Sequence, residues 1–144
     1  MQRREFLLGM LIATVLIPLK ALAAIWNKAA FESAQLDEAS RQLAIDGEIP
    51  SDDIVIKAPM RAENGAVVQV EITSHIPNTE AVAIFVEKNP TPLIANYMFS
   101  HAVLPHIVTR IKMAETSDIK VVVKSGQRYF VQSARVEVLE GGCG

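Results

Sequence analysis

The sequence predicts a mainly β protein: an immunoglobulin-like antiparallel β-sandwich of about seven short strands, with an N-terminal helix and a flexible C-terminal arm. Three observations predict it. The spacing of apolar residues changes near Pro50, from intervals of three and four to an interval of two. Turn-forming residues recur between the short alternating runs, and the chain closes on Glu140-Gly141-Gly142-Cys143-Gly144, a segment with almost no side chains to bury. A β-barrel would satisfy the same strand count.

Residues 1–24 read as an export signal. Arg3-Arg4 precedes an apolar run from Leu7 to Leu19, and Lys20 and Ala21-Leu22-Ala23-Ala24 supply a small-residue cleavage context. The run falls short of the roughly 20 apolar residues that a spanning helix needs. A twin-arginine route carries folded proteins, so the mature protein is expected in the periplasm. No cofactor motif is visible, which leaves a protein partner as the reason to fold before export.

The expected mature domain covers residues 25–139. From Ile25 to Gly47, Trp26, Ala29, Ala30, Ser33, Leu36, Ala39 and Leu43 recur at helical spacing, with Gly47 as the stop signal. Asp53 to Lys57 is the first expected strand. Glu63-Asn64-Gly65 is expected to turn, since Asn-Gly tolerates positive φ. Val68, Val70 and Ile72 then alternate with Gln69, Glu71 and Thr73, giving one buried and one wet face. Ala81 to Val86 is apolar throughout and is expected at the centre of a sheet, with Asn89-Pro90-Thr91-Pro92 ending it. Strands follow at Asn96 to Phe99, His106 to Met113 and Ile119 to Lys124. Ser125-Gly126-Gln127 closes a hairpin onto a long strand from Tyr129 to Val138, and residues 140–144 form the arm.

Charge and cysteine content narrow the function. The formal net charge is −2 and becomes −4 without residues 1–23, so nothing suggests a nucleic-acid surface. The histidines His75, His101 and His106 sit in no catalytic or zinc-binding spacing, and no phosphate loop is present. Cys143 is the single cysteine, so it cannot form an internal disulfide. Exported proteins seldom keep an exposed thiol without using it, because it oxidises or cross-links. Neither lipoprotein nor prenyl attachment fits a cysteine at this position.

Gly141-Gly142-Cys143-Gly144 resembles the C-terminal GGCGG of the SoxY family, the sulfur-carrier subunits of the bacterial Sox thiosulfate-oxidising system. Ala62-Glu63-Asn64-Gly65-Ala66-Val67-Val68, Glu87-Lys88-Asn89-Pro90 and Arg110-Ile111-Lys112-Met113-Ala114-Glu115-Thr116-Ser117 resemble further segments of that family. The chain shows one glycine after Cys143 where two are common, and Gln69 where proline is expected. The resemblance implies a carrier with no active site or cofactor of its own. Cys143 would hold sulfur adducts covalently, and Gly141, Gly142 and Gly144 would form its carrier arm. It further implies a stable heterodimer with SoxZ and transient visits to SoxAX, SoxB and, where present, SoxCD. Two rivals stand beside it: a peroxidase or sulfurtransferase using Cys143 as nucleophile, which would need a neighbouring base or cation, and a structural sandwich with a dispensable tail.

Overall fold

A computed structural model describes residues 27–142. The export signal expected over residues 1–24, with Arg3 and Arg4, lies outside the described residues, as do Trp26, Cys143 and Gly144. Among the described residues no helix is long and apolar enough to cross a membrane.

The N-terminal helical pattern forms two short helices, α1 (Lys28–Glu32) and α2 (Leu36–Gln42), where one was expected. The break has a local cause. Ser33 takes extended backbone angles, and its hydroxyl donates to the carbonyl of Ala29 at 2.6 Å, offering a helix end in place of another turn. Asn27 caps α1 by accepting from the amide of Ala30. Ala44 is the first residue beyond α2 with positive φ, so the helix stops before Gly47, which makes its own left-handed turn into the first strand.

Among the described residues nine strands follow: β1 (Glu48–Pro50), β2 (Ile54–Lys57), β3 (Arg61–Asn64), β4 (Val68–Ser74), β5 (Ala81–Val86), β6 (Leu93–Met98), β7 (His106–Ile111), β8 (Ser117–Ser125) and β9 (Arg128–Glu140). They form two sheets, one ordered β1-β9-β8-β5-β6 with β3 also on β9, the other ordered β2-β4-β7. The mainly β sandwich expected from the sequence is what the chain forms. Most neighbours are antiparallel, but β1 and β3 run parallel to successive lengths of β9. Those two short strands are the additions to the expected set.

Side-chain alternation explains both layers of core. Val82, Ile84 and Val86 of β5, with Ile119, Val121 and Val123 of β8, face Ile54, Val70, Ile72 and Ile107 of the smaller sheet. Ala83 and Phe85 point the other way and pack with Val122 and Leu93 against Ala30 and Ala39 of the helices. β5 is therefore buried on both faces, as its unbroken apolar run required. Ser125 pairs with Arg128 across a two-residue loop, and Gly126 supplies the left-handed first position at φ +61°.

Candidate functional site: the root of the C-terminal arm

β9 carries the chain to Glu140, and Gly141 and Gly142 continue it towards Cys143. These two glycines are seated against two other parts of the backbone. The amide of Gly142 donates to the carbonyl of Met113 at 3.0 Å, the amide of Met113 donates to the carbonyl of Gly65 at 2.7 Å, and the amide of Gly65 donates to the carbonyl of Glu140 at 2.8 Å. Three segments far apart in sequence thus close one hydrogen-bonded circuit.

The circuit is tight enough to demand glycine. A Cβ on Gly142 would lie 1.9 Å from the amide nitrogen of Ala66, and one on Gly65 would lie 2.2 Å from the carbonyl oxygen of Met113. One on Gly141 would lie 2.4 Å from the carbonyl oxygen of Ala114. Close approach of backbone to backbone is what glycine serves at these positions. Gly65 does not have the positive φ expected of it: among the described residues the left-handed glycines are Gly47 and Gly126. Glu63 and Asn64 belong to β3, and the turn comes one step later, where the Asn64 side chain accepts from the amide of Ala66 at 2.9 Å.

Asn89 supports the same corner from behind. It is buried, and its amide group brackets Met113: Nδ2 donates to the carbonyl of Lys112 at 2.7 Å, and Oδ1 accepts from the amide of Ala114 at 2.8 Å. Thr116 fastens β9 a few residues earlier, its hydroxyl accepting from the amide of Val138 at 2.9 Å. Sequence reasoning named Gly141, Gly142 and Cys143. It missed the cradle of Gly65, Asn89 and Met113, although each lies in a segment that carried the family resemblance.

Among the described residues, none of the three histidines lies at the arm root. His106 is bonded to Thr73 and His75 lies just beyond Ser74, both at the end of the smaller sheet opposite the Val68–Ile111 pair that leads to Met113. His101 is exposed in the loop between β6 and β7. Among the described residues no cluster of three or more His, Cys, Asp or Glu is placed to hold a metal ion.

The molecule is thus a two-sheet β-sandwich whose strand β9 runs on into Gly141 and Gly142, seated in a backbone cradle. A family model described as sulfur oxidation protein SoxY matches residues 41–143, and the chain belongs to the SoxY family. Among solved structures it is similar to the sulfur carrier protein SoxY from Chlorobium limicola f thiosulfatophilum, at 31% identity and a TM-score of 0.65, over 71% of this chain and 93% of that one. No curated protein sequence matches the chain significantly. The family is one of sulfur oxidation proteins, and the solved relative is a sulfur carrier.

Proposed function

We propose that the chain carries sulfur covalently on Cys143 and presents it to successive partner enzymes in the periplasm, without catalysing a step itself. The observation that carries this reading is positional: in a SoxY-family chain, the only cysteine follows immediately on the glycines seated at the arm root. The chemistry requires sulfur at that position, because sulfur–sulfur bonds form and break through thiolate attack. Loading joins the thiol to the sulfane sulfur of thiosulfate, releasing one proton and passing two electrons to a haem partner, SoxAX. Hydrolysis by SoxB then adds water, releases sulfate and a proton, and leaves a persulfide on Cys143, which SoxCD oxidises where it is present.

Twin-arginine export through Arg3 and Arg4 without a cofactor supports folding together with SoxZ before transport. Exposed Met98, Val103, Leu104 and Val108 on β6, β7 and the loop between them give that partner apolar surface to cover. The test is intact mass of protein from sulfur-grown cells, alongside Cys143→Ser in a reconstituted thiosulfate-oxidising system. Sulfur-containing adducts confined to Cys143, and loss of thiosulfate-dependent sulfate formation in the folded serine variant, are expected. Retained sulfate formation without the thiol would end the carrier reading.

A further inference from the structure

The cradle does more than close the sandwich. Gly142 lies beyond the last residue of β9, brings no side chain to the core, and still has its amide bonded and its backbone in contact with Gly65 and Ala66. Both polar groups of the Met113 backbone are committed to this corner, the N–H to Gly65 and the C=O to Gly142. Asn89 fixes the peptide groups on either side of Met113 and so fixes the direction in which they point. A buried asparagine spending both ends of its amide on one corner is a rigid support, since loss of either bond would leave a buried polar group without a partner.

We infer that Gly65 and Asn89 are positioning residues for Cys143: they hold Gly142 against Met113, so that the chain departs towards the thiol from a fixed point. The chain would then be anchored one residue before the cysteine, about 3.8 Å away from Cα to Cα. A partner enzyme meeting this protein would recognise the root together with the thiol, and reach beyond that short span would require the Gly142–Met113 bond to open. This deepens the carrier reading and rests on it for its effect on turnover, while the geometry can be tested without any sulfur chemistry.

The experiment uses the full chain with a nitroxide attached to Cys143, its single cysteine. Spectral line shape is compared for the unsubstituted chain, Gly65→Ala, Asn89→Ala and, as a control in the distant β8–β9 turn, Gly126→Ala. Gly65→Ala and Asn89→Ala should speed nitroxide rotation several-fold while the far-ultraviolet spectrum keeps its strand signature, and Gly126→Ala should match the unsubstituted chain. Hydrogen exchange at the Gly142 amide of the unsubstituted chain decides the matter should either variant fail to fold: protection of tenfold or more over an unstructured amide is expected. Exchange at the unstructured rate, or a folded Gly65→Ala chain whose label moves as before, would overturn the proposal. A chain that passes these tests yet never bears a sulfur adduct would overturn the carrier reading instead.

Discussion

At Gly126 an added Cβ meets nothing within 4 Å, yet its φ of +61° belongs to the left-handed region that side chains disfavour. At Gly65 the backbone angle is ordinary and the space is missing, with the Met113 carbonyl oxygen 2.2 Å from any added Cβ. The two glycines should therefore respond differently to one substitution. Asparagine tolerates the left-handed region, so Gly126→Asn should cost less than about 0.5 kcal/mol, while Gly126→Val should cost about 1–2 kcal/mol. At Gly65, asparagine should bring no relief over alanine, because backbone must move in either case. Urea midpoints for the four variants check this directly. The same contrast shows how much of the site could be read from sequence. Cys143 and its glycines stand out by composition, and an Asn-Gly pair suggests a turn. Which of the two reasons for glycine applies depends on the backbone at Met113, 48 residues further along the chain, and no local pattern records that.

Among the elements, β5 takes most of the packing. Ile84 faces the space between the sheets and Phe85 faces the helices, and both are fully buried. Phe85→Ala should destabilise the protein by about 3–5 kcal/mol, and Ile84→Val by about 1 kcal/mol. Because Phe85 packs with Ala30 and Ala39, its loss should also raise hydrogen exchange in α1 and α2 before the strands are affected. β5 was legible because burial on both faces leaves an apolar run six residues long. β4 and β7 were legible because alternation over six or seven residues is a strong period. β1 and β3 were not. They span three and four residues, are mostly exposed, and include Pro50, Arg61 and Glu63, so nothing local marks them as strands. They exist because β9 offers a partner edge. The helical segment was legible in period but not in continuity, since the side-chain bond of Ser33 decides the break.

For the whole molecule, the exposed apolar residues around β6 and β7 and the open sheet edges bear on assembly. If SoxZ covers them, as we propose, light scattering after size exclusion should show a heterodimer under reducing conditions, with an interface on the order of 1,600 Å² or more. A monomer indifferent to SoxZ at micromolar concentration would exclude that assembly. Without the partner, and without reductant, dimers linked through Cys143 should accumulate and should vanish in Cys143→Ser. Removal of Gly141 and everything after it should cost no more than about 1 kcal/mol, since among the described residues the backbone bond lost with it is that from Gly142 to Met113. Thermal unfolding of the shortened chain measures that.

The position of β9 has a bearing on synthesis. This strand pairs with β8 along most of its length and also holds β1 and β3, which precede it by some eighty residues. The earlier strands thus wait for the end of the chain before the larger sheet can close, and a ribosome still holding that end holds back completion of the fold. An aborted or clipped polypeptide lacking β9 would leave two short strands and a core sheet unpaired, and would be recognised as waste by proteases. Chains cut short within or before β9 would therefore be removed together with their missing thiol, whereas copies that lose only the residues from Gly141 onward would keep the fold and escape.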